Sequence, residues 1–160
     1  MARIELMTPD SWERVRDLRL RALQNDPDAF EMTYEEEVGE GEAFWRKRLA
    51  GACTWIAFCE GAEAGMVTGA PMRGHSDAAG LFGMWVDPTF RGQGVGVVLV
   101  QGVIDWARAG GYARLMLEMG EWNQAAGGLY RAMGFVPTGV VGTLPEPRAH
   151  LKEVELEILL

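Results

Sequence analysis

This sequence lacks long apolar runs, is poor in cysteine and is short of positive charge. No stretch approaches the ~20 consecutive apolar residues that cross a bilayer as a helix. The opening Met1-Ala2-Arg3-Ile4-Glu5 has no apolar core of a secretory signal, so a cytoplasmic location is expected. The two cysteines, Cys53 and Cys59, share one apolar stretch. Read as a strand, that stretch puts them about 20 Å apart at ~3.3 Å per residue, beyond the ~7 Å Cα limit of a disulfide. Free thiols are expected, and neither has the basic or helix-N-terminal setting that activates a nucleophile. Fifteen Lys and Arg stand against 23 Asp and Glu, for a net charge of −8. Cationic neutralisation drives binding to duplexes and to anionic lipid, so neither a nucleic-acid nor a membrane partner is expected. Two histidines without a cysteine at ligand spacing give no metal site.

What is present is ordinary globular material. The 160 residues are 48% hydrophobic and 24% charged, which fits a single domain over 1–160 with its own core. Residues 2–7 alternate as a short strand. Apolar spacing predicts helices over 12–23, 42–49, 95–109 and 123–133. Strands are predicted over 54–60, 65–69, 81–86, 113–119, 135–141 and 153–160, with 71–80 as a loop. Hairpins in the middle and strand–helix alternation in the second half predict an α+β (mixed α/β) fold: a mixed, mostly antiparallel twisted sheet with helices on both faces. The last strand fits an inner position, with a homodimer contact as the alternative.

The most informative segment is Val86-Asp87-Pro88-Thr89-Phe90-Arg91-Gly92-Gln93-Gly94-Val95-Gly96. A strand enters, glycines follow and an amphipathic helix leaves. The first N–H groups of a helix have no internal partner and, with the helix dipole, form an anion site. Glycines let phosphate approach the backbone, and Arg91 adds a cationic fork at the mouth. No Lys-Ser/Thr follows the glycines, so the ATP-type loop is absent. The dinucleotide spacing fails at Val97 and Leu99. Glu118, at the end of the next strand, keeps dinucleotide binding as an alternative.

Arg91-Gly92-Gln93-Gly94-Val95-Gly96 resembles the Arg/Gln-x-x-Gly-x-Gly/Ala signature of the GNAT superfamily of acetyl-CoA-dependent N-acetyltransferases. Downstream, Asn123-Gln-Ala-Ala126-Gly-Gly-Leu129-Tyr130-Arg-Ala-Met-Gly134-Phe135 is similar to that family's Asn-x-x-Ala-x-x-Leu-Tyr-x-x-x-Gly-Phe segment. Two motifs in the right order are specific together, and the element order is similar across nearly the whole chain. The resemblance implies a GNAT-like sheet of six to seven strands with acetyl-CoA as cosubstrate and no metal. It implies that the amides of Gln93, Gly94, Val95 and Gly96 hold the pyrophosphate, with Gly92 and Arg91 beside them. Met84, Trp85 and Val86 would follow the pantetheine arm, whose amides can pair with a strand edge. The thioester would sit where strands 81–86 and 113–119 splay apart. Asn123 would bind cosubstrate or fix the following turn.

Tyr130 is implied as the general acid, donating a hydrogen bond or proton to the departing thiolate. Its helical spacing to Leu129 and Met133 also fits a core aromatic. An alkyl amine is protonated at neutral pH and needs a base. Glu118 is the first choice, with Glu121 and Glu35, Glu36 and Glu37 as alternatives. Residues 31–42 carry six glutamates and no basic residue, so most of the net charge is local. In the resembling family this region flanks the acceptor site, which makes Glu35, Glu36 and Glu37 an expected acidic rim for a cationic small-molecule amine; a solvated acidic loop is the plainer reading. A protein N-terminus or lysine as acceptor, and a non-catalytic acyl-CoA-binding module, are the alternative functions.

Overall fold

The computed structural model describes residues 2–160. Seven strands form one sheet in the order β1-β2-β3-β4-β5-β7-β6. They are β1 (Ala2–Leu6), β2 (Cys53–Cys59), β3 (Ala62–Pro71), β4 (Ala78–Val86), β5 (Arg114–Gly120), β6 (Val136–Thr143) and β7 (Lys152–Leu159). Every neighbouring pair is antiparallel except β4 and β5. The helices are α1 (Trp12–Asn25), α2 (Tyr34–Glu37), α3 (Glu42–Gly51), α4 (Val95–Ala109) and α5 (Gln124–Ala132). No helix among the described residues is long and apolar enough to cross a membrane.

Strand β2 shows how the sheet acquires helices on both faces. Successive side chains on a strand point to opposite sides. Trp55, Ala57 and Cys59 enter a core with Leu99, Val103 and Ile104 of α4. Ile56 and Phe58 enter a second core with Val15, Leu18 and Leu23 of α1 and Leu49 of α3. An uninterrupted apolar sequence is therefore what a central strand between two helical layers requires. Cys53 and Cys59 are free thiols at the two ends of this strand.

The middle hairpins are longer than periodicity indicates. β2 and β3 are joined by a two-residue turn, Glu60-Gly61, with φ of +50° and +82°. Positive φ at both central positions matches the twist of the flanking strands. The segment 71–80 is not wholly a loop: Pro71 ends β3, and Ala78, Ala79 and Gly80 begin β4. These small residues carry little periodic signal, and pairing with β3 and β5 gives them strand structure. The last strand is an inner one, with β5 on one side and β6 on the other.

Two irregularities in β4 shape the site. First, Val67 of β3 faces two residues, Gly83 and Met84, between the pairs Thr68–Phe82 and Met66–Trp85. Such a bulge bends a strand and re-aims its side chains; Gly83 accommodates it at φ +58°. Second, β4 and β5 pair only over Ala78–Gly80 and Arg114–Met116. Beyond that point the strands separate, leaving a wedge-shaped opening in the middle of the sheet.

Candidate active site

A cleft of about 870 Å³ occupies this opening. One end lies at the glycine turn. Gly94 is the N-cap of α4 in left-handed conformation, φ +82°, a conformation that costs other residues roughly 1–2 kcal/mol. The first helical bond runs from the Val98 N–H to the Gly94 carbonyl at 3.2 Å. The amides of Val95, Gly96 and Val97 precede it and form the unpaired start of the helix. A Cβ on Gly96 would stand 2.9 Å from Leu129 Cδ2 and 3.3 Å from Met84 Cε, so this turn packs closely on α5 and β4. Gly92, Gly94, Val95 and Gly96 line the cleft. Gln93 does not; its side chain turns back to donate to the Thr89 carbonyl at 3.3 Å.

Arg91 is fixed at the mouth. Its Nε donates to the Val86 carbonyl at 2.9 Å and its Nη2 to Asp26 Oδ2 at 2.7 Å. Asp26 also accepts from Trp85 Nε1 at 2.7 Å and Asn25 Nδ2 at 2.9 Å. Partial burial would raise the Asp26 carboxyl, but these donors hold it below its ordinary value. The Trp85 side chain is thus buried on the α1 face, although the residue still contributes to the cleft wall with Met84 and Val86. Asn123 performs the turn-fixing role: its side chain accepts from the Ala126 N–H at 3.1 Å and caps α5.

Tyr130 stands on α5 at the splayed end of β4 and β5. It is 4% exposed and lines the cleft. Its ring meets Phe135 edge-on at 5.6 Å, so it is a core aromatic that also forms part of the cleft wall. Burial pushes its phenol above the ordinary value and keeps it protonated.

Four carboxylates line the cleft: Asp26, already paired with Arg91, and Glu31, Glu118 and Glu153. Glu118 pairs across the ladder with Glu155, and Glu153 with Gly120. Partial burial, then the charges of Glu155 and Glu31, raise Glu118 above its ordinary value. Partial burial, then Glu118 and Glu31, raise Glu153, against the pull of Arg148. Glu153 has no sequence signature because only the β5–β7 register brings it beside Glu118. Arg148 holds the segment carrying Glu31 in place, donating to the carbonyls of Pro27 (2.8 Å), Phe30 (3.0 Å) and Glu31 (2.7 Å).

The expected acidic rim is corrected. None of Glu35, Glu36 and Glu37 lines the cleft. Glu35 and Glu36 are exposed on α2. Glu37 is 0% exposed; Arg19 binds it at 2.9 and 3.2 Å and Arg48 at 2.9 and 3.3 Å. Burial would raise Glu37, but the two guanidinium groups hold it below its ordinary value, as an ionised carboxylate. A buried charge needs such partners. Here they come from α1 and α3, so the acidic run is partly interior.

Comparison with known proteins identifies the class. Residues 12–135 match the acetyltransferase (GNAT) family, and the chain belongs to that family. It is 30% identical to human N-acetyltransferase 8B over 131 residues, covering 80% of this chain and 51% of that protein. It is 36% identical to human N-acetyltransferase 8 over 92 residues, 56% of this chain and 40% of that one. It is also 32% identical to N-acetylaspartate synthetase of Danio rerio over 103 residues, 64% of this chain and 36% of that one. The chain thus spans about half or less of the length of these curated relatives. Among solved structures, a GNAT-family acetyltransferase of Streptococcus pneumoniae has the same fold, with TM-score 0.79, 22% identity and full coverage of both chains. A Salmonella typhimurium protein solved with its cofactor acetyl-CoA aligns with TM-score 0.77 and 18% identity, covering 100% of this chain and 94% of that one.

Proposed function

We propose that this chain transfers an acetyl group from acetyl-CoA to the primary amine of a small molecule. The carrying observation is the union, in one cleft, of a glycine turn at a helix N-terminus, two splayed strands and a buried tyrosine at the splay. The free amides of α4 with Arg91 suit a pyrophosphate. The separated edge of β4 suits a pantetheine arm, and the cleft reaches from there to Tyr130. Acetyl-CoA supplies an acyl group already activated as a thioester.

In this reading Glu118 accepts the proton that the ammonium must lose, directly or through water, and its raised pKa makes it a better proton acceptor than an ordinary carboxylate. A carbon–nitrogen bond forms and the carbon–sulfur bond breaks. Tyr130, protonated at any working pH, donates a hydrogen bond to the departing sulfur as its charge grows. A thiol with reference pKa near 8.5 needs no stronger acid. Arg91 and the α4 amides bind and orient. A small acceptor is favoured by the name of one relative, N-acetylaspartate synthetase.

The test is acetyl-CoA turnover followed with a thiol-detecting reagent across an amine panel. Amine-dependent thiol release supports acetyl transfer. Binding of CoA without turnover of any amine or protein acceptor would reduce the chain to an acyl-CoA-binding module.

A further inference from the structure

The same cleft contains a cationic feature that acetyl transfer to a simple amine does not use. Arg19 and Arg48 both line it, and they share one carboxylate, Glu37. The triad carries one net positive charge. Its order is also directional. Glu37 is fully buried, whereas the side chains of Arg19 and Arg48 are 11% and 31% exposed. The acid therefore lies behind the two cations, and the cations face the cavity.

Each guanidinium has five N–H donors in a planar fork, and Glu37 takes two bonds from each. Donors remain on both. A Cβ on Gly83 would lie 3.4 Å from Arg19 Nη1, which puts that unused nitrogen at the β4 bulge beside Met84. Arg19 is further held by stacking on Phe30 at 4.7 Å, and Arg48 by stacking on Phe44 at 4.7 Å and Trp45 at 5.1 Å. Pre-oriented guanidinium groups suit a carboxylate. Of the acids of the cleft, Asp26 at the end of α1 is taken up by Arg91, and Glu31, Glu118 and Glu153 come from the segment before α2, β5 and β7. The cleft thus offers separate positive and negative groups.

We propose that Arg19 and Arg48 form an anion subsite that takes a carboxylate of the acceptor, which is then a molecule carrying both an amine and a carboxylate, as an α-amino acid does. The inference rests on acetyl transfer as the activity and deepens it. Glu37, reached only through the arginines, is a positioning residue.

The experiment pairs each common L-amino acid with its decarboxylated amine and measures kcat/KM for both with saturating acetyl-CoA. The expected result is at least a tenfold preference for the carboxylate-bearing member of the pairs that turn over. Arg48→Met keeps an apolar stem but leaves the triad without net charge. It should raise KM about tenfold more for the amino acid than for its decarboxylated partner. Arg48→Met combined with Glu37→Gln restores the net positive charge through Arg19 and should recover part of the preference. Melting temperature and KM for acetyl-CoA, measured on both variants, separate a local effect from a folding defect. Equal or better turnover of the carboxyl-free amines would overturn the inference and leave acetyl transfer standing. So would equal losses for both members of each pair in Arg48→Met. Absence of acetylation with every amine overturns acetyl transfer itself and this inference with it.

Discussion

Arg91 Nη2 donates to Asp26 Oδ2 at 2.7 Å, across 65 residues of sequence. This bond ties the arginine of the glycine turn to the end of α1, and Trp85 Nε1 shares the same oxygen. Asp26→Ala should therefore act twice. Loss of a charged acceptor for buried Trp85 should cost about 1–3 kcal/mol of stability, read as a lower melting temperature. A released Arg91 should weaken CoA binding several-fold by calorimetry. The Asp26 carboxyl is held below its unfolded value, so its stabilising effect is present above the unfolded pKa. It is lost as pH falls through the lower folded value.

Gly94 tests the anion site without touching a charge. Its φ of +82° starts α4, and nothing stands within 4 Å of a Cβ there. Gly94→Ala has room but strains the backbone by roughly 1–2 kcal/mol. If the turn relaxes, the free amides of Val95 and Gly96 are re-aimed. CoA affinity should fall more than the melting temperature accounts for, and isothermal calorimetry with CoA checks this.

Tyr130→Phe keeps the ring that packs on Phe135 and removes only the hydroxyl. Turnover should fall tenfold or more, within the range of lost acid–base groups, while CoA affinity and melting temperature hold. Equal losses in turnover and affinity would make Tyr130 a packing or binding residue.

The base role proposed for Glu118 predicts a pH dependence. As a base it must be ionised, so activity is lost as pH falls through its raised pKa. The acid limb of kcat/KM should lie above the ordinary carboxylate range, and Glu118→Gln should lower the rate and remove that limb. The sign for stability is opposite. A folded pKa above the unfolded one means that the ionised group opposes folding at neutral pH. Glu118→Gln should therefore melt no lower, and somewhat higher, than the parent at pH 7.

The position of Glu37 is not written in its local sequence. Among the six glutamates of residues 31–42 it has the surroundings of a solvated loop. Its burial follows from Arg19 and Arg48, 18 and 11 residues away, and from α1 and α3 closing over it. Glu153 is similar: no local pattern marks it, and the β5–β7 register alone sets it beside Glu118. By contrast the α4 turn and α5 are legible because their geometry is local, whereas the helical period at Tyr130 fits a core aromatic and only the family motif points to the site. A glycine N-cap, an Asn cap and a helical period are each written within a few residues. The splay of β4 and β5 was legible only through family resemblance, since strand separation depends on pairing that sequence does not display. The start of β4 leaves no mark in the sequence because Ala78, Ala79 and Gly80 carry no alternation.

The most direct measurement is mass spectrometry of reactions containing the protein, acetyl-CoA and an amine-bearing acceptor, with controls omitting each. Acetyl transfer predicts an acceptor heavier by one acetyl group, formed only when all three are present, together with an equal amount of free CoA. Free CoA without an acetylated acceptor, or an acetylated acceptor at the same rate without the protein, would contradict it.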